Sequence, residues 1–593
     1  SLKFGFLSCL QYPGPQPIIA IAFKQRCAVS EMPTTGVPMP GPQSCLICRS
    51  IVMRITLGVM KVNLLLVLLF ALVFNWPIFL HFYTILTQLD HVKAGFVLSI
   101  PLVLLAALNA VFLPFTFRYL LKPFFVLLIL LGSVVSYAML KYGVIFDRDM
   151  VQNMVATNTG EVSAYLNGSV ALWFLLTGVL PALALLWVKI EYPSPWYRGL
   201  GLRLGSIALS LLFLMGVAAL YYQDYASVGR NNKSLGKEIV PANYVHGFYR
   251  YARDILFATP IPYQPLGTDA RVVGQGNKPT LMFLVVGETA RSQNYSLNGY
   301  RKQTNSFTEQ EAGVLSFKDV RSCGTATAVS VPCMFSNLTR RGYDDTLAQS
   351  RDGMLDVLQH AGFSVLWKEN DGGCKGVCKN VPTIDIEAKA FPQYCQQGSC
   401  YDEVMLEGLD RQIADMKGKQ GNKLVAFHLM GSHGPTYYRR YPASERFFVP
   451  DCPRSDIENC SNEELVNTYD NTIRYTDKVV AQLIEKLKSL QTDYNVGLVY
   501  LSDHGESLGA MGLYLHGTPY QFAPDDQTRV PLLTWFSPQL QADRQLNMGC
   551  LQQEASSKRF SHDNLFHSML GIMDVQTSVY DGALDLFKPC RAG

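Results

Sequence analysis

The hydrophobic positions follow two different rhythms along the chain. From Val62 they come in long runs, and from Thr280 in short runs separated by polar and helical stretches. The long runs predict five membrane-spanning helices, about 62–84, 95–115, 123–141, 169–188 and 204–222. Each is near the ~20 apolar residues that cross a bilayer. The short runs, Leu281–Val286, Phe363–Trp367, Leu424–Leu429 and Leu498–Leu501, read as strands, and helical stretches such as Asp352–His360 and Glu463–Leu490 lie between them. Buried strands alternating with helices predict a mostly parallel sheet covered on both faces.

Charge orients the spans. Arg54 and Lys61 precede the first, Arg118 and Lys122 separate the second and third, and Lys189, Arg198 and Arg203 separate the fourth and fifth. Basic loops face the cytoplasm, so an odd number of spans places everything after Tyr222 outside it. The expected organisation is a transmembrane domain at 53–222, a connector along the membrane surface at 223–279 and an α/β domain at 280–593. Tyr244, Phe248, Tyr249, Arg250, Tyr251 and Arg253 suit the connector to the membrane surface, and a linker that merely packs accounts for them equally well. Residues 1–52, rich in proline and without periodicity, are expected to be a non-native or disordered extension, because Met53-Arg-Ile-Thr reads as a natural start. The net charge of +4 over 593 residues gives no reason to expect nucleic acid.

The cysteines agree with the orientation. Four lie in the first 48 residues and the other ten lie after Arg321. In an oxidising compartment the ten read as a disulfide framework. Close spacing pairs Cys323 with Cys333, Cys374 with Cys378, Cys395 with Cys400 and Cys452 with Cys460, which leaves Cys550 for Cys590. A zinc site built from Cys374, Cys378, Cys395 and Cys400 is the less favoured alternative.

Candidate chemistry gathers at strand ends. Glu288, His433, Asp503 and His504 follow strand-like runs, and His516 comes a short loop later. Open α/β sheets place their sites at the carboxyl ends of strands, and carboxylates with imidazoles suit zinc. The segment Arg321-Ser-Cys-Gly-Thr325-Ala-Thr327-Ala-Val-Ser330-Val-Pro-Cys333 offers a hydroxyl nucleophile; spacing alone leaves Thr325, Thr327 and Ser330 open. In the outer loop between the third and fourth spans, Asn153, Thr157 and Glu161 would share one face of a helix.

Taken together, Gly287-Glu-Thr289, Cys323–Cys333, Lys375-Gly-Val377, Gly431-Ser-His-Gly-Pro435, Ser502-Asp-His-Gly-Glu-Ser507 and Leu515-His-Gly517 resemble the lipid A phosphoethanolamine transferases, the colistin-resistance enzymes among them. That group belongs to the alkaline phosphatase/sulfatase superfamily, and the resemblance runs from about Met53 to the C-terminus. It implies a five-helix transmembrane domain and a disulfide-bonded, alkaline-phosphatase-like α/β domain in the periplasm, anchored in the bacterial inner membrane. It further implies zinc held by Glu288, Thr327, Asp503 and His504, with Thr327 as nucleophile. Thr325 matches a substrate contact. Lys375, His433, Glu506 and His516 match residues around the phosphoethanolamine group or a second zinc, with acid–base roles open to His433, His516 and Glu506. Asn153, Thr157 and Glu161 match a helix that holds the lipid donor. One departure is Gly509-Ala-Met-Gly512, where the family often has Gly-Glu-Asn-Gly.

The implied reaction carries phosphoethanolamine from phosphatidylethanolamine to a lipid A phosphate through phospho-threonine, in a monomer whose partners are membrane lipids. Such an exchange needs no nucleotide and would confer polymyxin resistance. The alternatives are a core-sugar acceptor, a membrane-anchored phosphodiesterase, and a receptor or transporter. A sulfatase would show Cys-x-Pro-x-Arg where Thr stands, and a transporter would carry charges or repeats in its spans.

Overall fold

The computed structural model describes residues 55–87, 92–157, 162, 165–257, 261–274, 276–396, 398–417 and 421–591. Residues 1–52 and Glu161 lie outside the described residues.

The apolar half forms α1 (Val59–Phe74), α2 (Trp76–Leu86), α3 (Ala94–Phe115), α4 (Leu121–Tyr142), α6 (Gly168–Trp187) and α7 (Trp196–Asn231). Between α4 and α6 lies α5 (Arg148–Ala156), and after α7 comes α8 (Ala242–Leu256). Among the described residues α3, α4, α6 and α7 are long and apolar enough to cross a membrane, and α1–α2 makes a fifth if the bent pair is taken as one span.

Three expectations need correcting here. The first span is not straight but bends by 52° between α1 and α2. Asn75 sits in the gap, where its amide donates to Phe70 O at 2.9 Å and Val240 O at 2.7 Å while Val240 N donates back at 2.9 Å. Pro77 then opens α2, where a missing N–H costs nothing. The fifth helix starts earlier than expected, at Trp196, because its polar first turns fall outside an apolar window; Tyr221, with φ −127° and ψ 19°, breaks it where the expected span ends, and a further helical stretch continues to Asn231. The expected helix through Asn153, Thr157 and Glu161 stops at Ala156. Thr157 is already extended, and its hydroxyl turns back onto Asn153 O at 2.7 Å.

In the connector, α8 buries Tyr244 and ties its hydroxyl to Leu128 O of α4 at 3.0 Å. Its other face leaves Val245, Phe248, Tyr249, Ile255 and Leu256 exposed. α8 packs along α5, which in turn touches the helix that carries Thr327.

The α/β half is built on one eight-stranded sheet: β1 (Thr280–Gly287), β2 (Leu315–Arg321), β3 (Ser364–Glu369), β4 (Thr383–Asp385), β5 (Lys423–His428), β6 (Asn495–Ser502), β7 (Arg529–Phe536) and β8 (Arg559–Ser561). The spatial order is β8-β2-β7-β6-β1-β5-β3-β4. It is parallel except where β7 runs against β6 and β2. The side chains of β1 alternate between two cores. Leu281, Phe283 and Val285 face Leu465, Tyr469 and Ile473 of the long helix α10 (Asn462–Ser489). Met282, Leu284 and Val286 face Val331, Met334 and Phe566 on the other side. Ser461 and Glu464 start α10 with a reciprocal capping box. All five expected disulfides are present: Cys323–Cys333, Cys374–Cys378, Cys395–Cys400, Cys452–Cys460 and Cys550–Cys590.

Candidate active site

Strand register brings the candidate ligands together. Ser502 of β6 is paired with Gly287 of β1, and His428 of β5 with Val286. Glu288 and Asp503 are therefore the first residues beyond neighbouring strand ends, locked by Asp503 N donating to Gly287 O at 2.9 Å. The next loop closes on them, with Ser432 N donating to Glu288 O at 2.9 Å. Gly431 allows this approach. It holds a left-handed φ of 50°, and a Cβ there would stand 2.6 Å from Glu288 O.

Thr327 is the first residue of the short helix α9 (Thr327–Met334). Its Oγ1 lies 3.1 Å from Glu288 Oε2 and 3.3 Å from His504 Nε2. His504 Nε2 also lies 3.4 Å from Glu288 Oε1 and 3.3 Å from Asp503 Oδ2. Glu288, Asp503 and His504 are completely buried, and Thr327 nearly so. Of the three hydroxyls left open by spacing, the structure puts Thr327 in this cluster. Ser330 Oγ is bonded to Asp503 O, and Thr325 Oγ1 donates to Thr518 O at 2.7 Å, so both tie loops together.

The donor set fits a metal ion. His504 Nδ1 faces Gly505 O at 2.9 Å, and a carbonyl can only accept, so Nδ1 carries the proton and the Nε2 lone pair faces the carboxylates. Burial holds the imidazole well below its ordinary range, in the neutral form that ligates metals. Asp503 Oδ1 accepts from Thr289 N and His504 N, while its buried Oδ2 has no hydrogen-bond partner. Burial, with Asp503 beside it, pushes Glu288 well above the usual carboxylate range, and burial raises Asp503 as well. Two buried carboxylates and a neutral imidazole form a pocket that calls for a cation.

The remaining candidates are arranged around this cluster. His516 and His504 have ring centroids 4.4 Å apart, and His433 lies 5.7 Å from His516. His516 Nδ1 donates to Glu506 Oε2 at 3.1 Å, and Glu506 Oε1 accepts from Tyr437 at 3.0 Å. Burial opposes the charge on His516, but Glu506 outweighs it and pushes the imidazole up to about 9. Burial, then Arg440, hold His433 well below its usual range, and its buried Nδ1 has no hydrogen-bond partner. Lys375 is half-buried at a left-handed turn, and its charge reaches His433. Asn153 and Thr157 stand apart on and just after α5, without a hydrogen bond to the Thr327 cluster. A small cavity lined by Asp149 and Met150 of α5 and by Gly324, Thr325, Ala326 and Gly517 lies at the junction.

The sequence model of the phosphoethanolamine transferase EptA/EptB family matches residues 104–256, and that of the Sulfatase family matches 280–575. The chain is 43% identical over 497 residues to phosphoethanolamine transferase EptA of Salmonella typhimurium, spanning 83% of this chain and 90% of that protein. It is 36% identical over 498 residues to phosphatidylethanolamine transferase Mcr-1 of Escherichia coli, spanning 81% and 89%. The integral membrane lipooligosaccharide phosphoethanolamine transferase A (EptA) from Neisseria meningitidis superposes with a TM-score of 0.86 at 37% identity, covering 91% of this chain and 100% of that one. The chain belongs to the phosphoethanolamine transferase family. It is a membrane protein with a periplasmic-type soluble domain of alkaline-phosphatase fold.

Several residues of this transferase were missed in sequence. His562 is fully buried; its Nδ1 accepts from Cys323 N at 3.1 Å and its Nε2 donates to Ser502 O at 2.9 Å. It thereby joins the Thr327 loop to the strand carrying Asp503. Tyr469 of α10 donates to Thr289 O at 2.7 Å and accepts from Arg291 N at 3.0 Å, clamping the turn after Glu288. Glu369, Asp371 and His428 lie at or just beyond the ends of β3 and β5. The strand-end rule that singled out Glu288 and Asp503, applied to every strand, would have found these three. His562 follows the short edge strand β8 and carries no comparable signal.

Proposed function

We propose that this transferase moves phosphoethanolamine from phosphatidylethanolamine to a phosphate of lipid A, in the bacterial inner membrane, through a phosphoethanolamine–Thr327 intermediate. The observation that carries the reading is Thr327 Oγ1 standing within 3.3 Å of both Glu288 and His504 at the start of a helix. A zinc ion held by Glu288, Asp503, His504 and Thr327 would make the hydroxyl acidic and offset charge on the phosphoryl oxygens.

The chain's own groups then do the following. Thr327 Oγ1 attacks phosphorus as its proton passes to Glu288 Oε2, the acceptor 3.1 Å away, and the bond to the diacylglycerol oxygen breaks. His516, protonated below about pH 9 and anchored by Glu506, supplies the proton that the departing oxygen takes up. In the second half-reaction a lipid A phosphate oxygen attacks the same phosphorus, the phosphate's proton restores His516, and Thr327 leaves, taking its proton back from Glu288. One phosphoryl link replaces another, so positioning and charge neutralisation suffice, without a nucleotide. Donor and acceptor are both lipids, which suits a catalytic domain held at the membrane, with the exposed apolar face of α8 toward the bilayer. The product carries an added ammonium group, so the cell surface becomes less negative and binds cationic polymyxins less tightly.

The test is mass spectrometry of lipid A from bacteria expressing the protein or Thr327→Ala. A gain of one phosphoethanolamine, absent in the variant, is expected. Unchanged lipid A beside modified core sugars would overturn the acceptor assignment.

A further inference from the structure

Glu288 belongs to a second cluster besides the one at Thr327. One ligand atom each from Glu288, Asp371 and His428 lie within 4.8 Å of one another. All three side chains are buried, with His428 and Glu288 at 0% exposure and Asp371 at 2%. His428 ends β5, and β1, which leads into Glu288, is its neighbour in the sheet.

The orientation of His428 is fixed from behind. Its Nδ1 lies 3.0 Å from both oxygens of Glu369, and a carboxylate accepts, so Nδ1 carries a proton. Glu369 is itself held by Trp367 Nε1 at 2.8 Å and by the backbone N–H groups of Asp371 and Gly372 at 2.7 and 3.0 Å. The other nitrogen, Nε2, is buried without a hydrogen-bond partner and stands 3.7 Å from Asp371 Oδ2. This is the arrangement in which an outer carboxylate orients an imidazole and raises its basicity toward a metal. A buried imidazole nitrogen that makes no hydrogen bond, 3.7 Å from the buried Asp371 carboxylate and in a cluster with buried Glu288, is a costly way to pack a core unless something binds there.

We propose that Glu288, Asp371 and His428 form a second divalent-cation site that shares Glu288 with the Thr327 cluster. One imidazole nitrogen and two carboxylates suit Zn2+, the ion that also suits the first cluster. Glu288 would then bridge two ions, one beside the nucleophile and one deeper in the sheet. The deeper ion would fix the Glu288 carboxylate and offset part of its negative charge. Neither His433 nor His516 takes part, and the assignment does not depend on which lipid is the acceptor.

The test counts metal on the full-length protein in detergent after equilibration with Zn2+ and removal of free ion. His428→Gln and Asp371→Asn should each lose one equivalent relative to the wild type. Asp503→Asn should lose a different equivalent, and Glu288→Gln should lose both. Zinc-edge anomalous diffraction from wild-type crystals should place a peak about 2.0–2.1 Å from His428 Nε2. This second readout also decides the matter should the variants fail to fold. A wild-type count in both His428→Gln and Asp371→Asn, or an anomalous map with no peak at His428, would overturn the site. Loss of an equivalent in His428→Gln with none lost in Asp503→Asn would support this site and overturn the zinc assignment at Thr327 instead.

Discussion

Replacing His562 by Leu tests how the Thr327 loop is held. The imidazole spans Cys323 N and Ser502 O, and Ser330 Oγ stands 3.3 Å from its Nδ1. Leucine keeps most of the volume but leaves a buried N–H and a buried C=O unpaired, at roughly 1–3 kcal/mol each. The variant should therefore be less stable by about 2–6 kcal/mol at pH 7. The loss should also depend on pH. Burial lowers His562 to about 4 from an ordinary value of 6.5, so protons bind the unfolded chain more readily than the folded one. The stabilisation is complete above pH 6.5 and fades as pH falls toward 4. At about 1.4 kcal/mol per pH unit, the part that fades is about 3 kcal/mol. The assay is thermal unfolding of the detergent-solubilised protein from pH 7 to pH 4, wild type beside variant. Carboxylates titrate in both proteins, so the informative quantity is the gap between them. It should shrink by several degrees on acidification. A gap that stays constant across that range would refute the argument that His562 is neutral and bonded on both sides.

Three further expectations follow from the same structure. Because Glu506 raises His516 to about 9, transfer that needs its proton should hold at neutral pH and decline as pH rises through about 9, read from the pH profile of kcat; a flat profile to pH 10 would remove His516 as the acid. Cys550→Ser opens a bridge between residues 40 apart and should cost roughly 4 kcal/mol, read as a lower Tm; an unchanged Tm would show the bridge to be dispensable. Met511 holds a left-handed φ of 54° that Asn tolerates better, so Met511→Asn should stabilise by about 1 kcal/mol; a lower Tm would refute the strain argument.

The sequence was most legible where one physical rule acted alone. Long apolar runs marked the membrane helices, and short runs ending in Glu288 and Asp503 marked the strands of the site, because register at parallel strand ends follows from the sheet itself. Close cysteine spacing marked four of the five bridges. Legibility failed where a distant partner decided the outcome. The bend at Asn75 depends on Val240, 165 residues away. Spacing left open which of Thr325, Thr327 and Ser330 stands beside Glu288 and His504, and only the resemblance named Thr327, because that placement depends on which hydroxyls are claimed by Thr518 O and Asp503 O, neither of them local. The helix through Asn153 stops because a Thr157 side-chain bond competes with the backbone ladder, which an i, i+4, i+8 count ignores. β2 and β7, two of the central strands, were missed. Their sequences, Leu-Ser-Phe-Lys-Asp-Val-Arg and Arg-Val-Pro-Leu-Leu-Thr-Trp-Phe, carry charges or a proline that blur the apolar run.

The central claim is that Thr327 carries the phosphoethanolamine between donor and acceptor. The most direct measurement is peptide mapping by mass spectrometry of the purified protein after incubation with phosphatidylethanolamine and no acceptor. The account predicts that the peptide containing Thr327 gains the mass of one phosphoethanolamine, with fragment ions placing it on that residue. The adduct should disappear when lipid A is added. Release of diacylglycerol with an unmodified Thr327 peptide, or an adduct on Thr325 or Ser330, would contradict it.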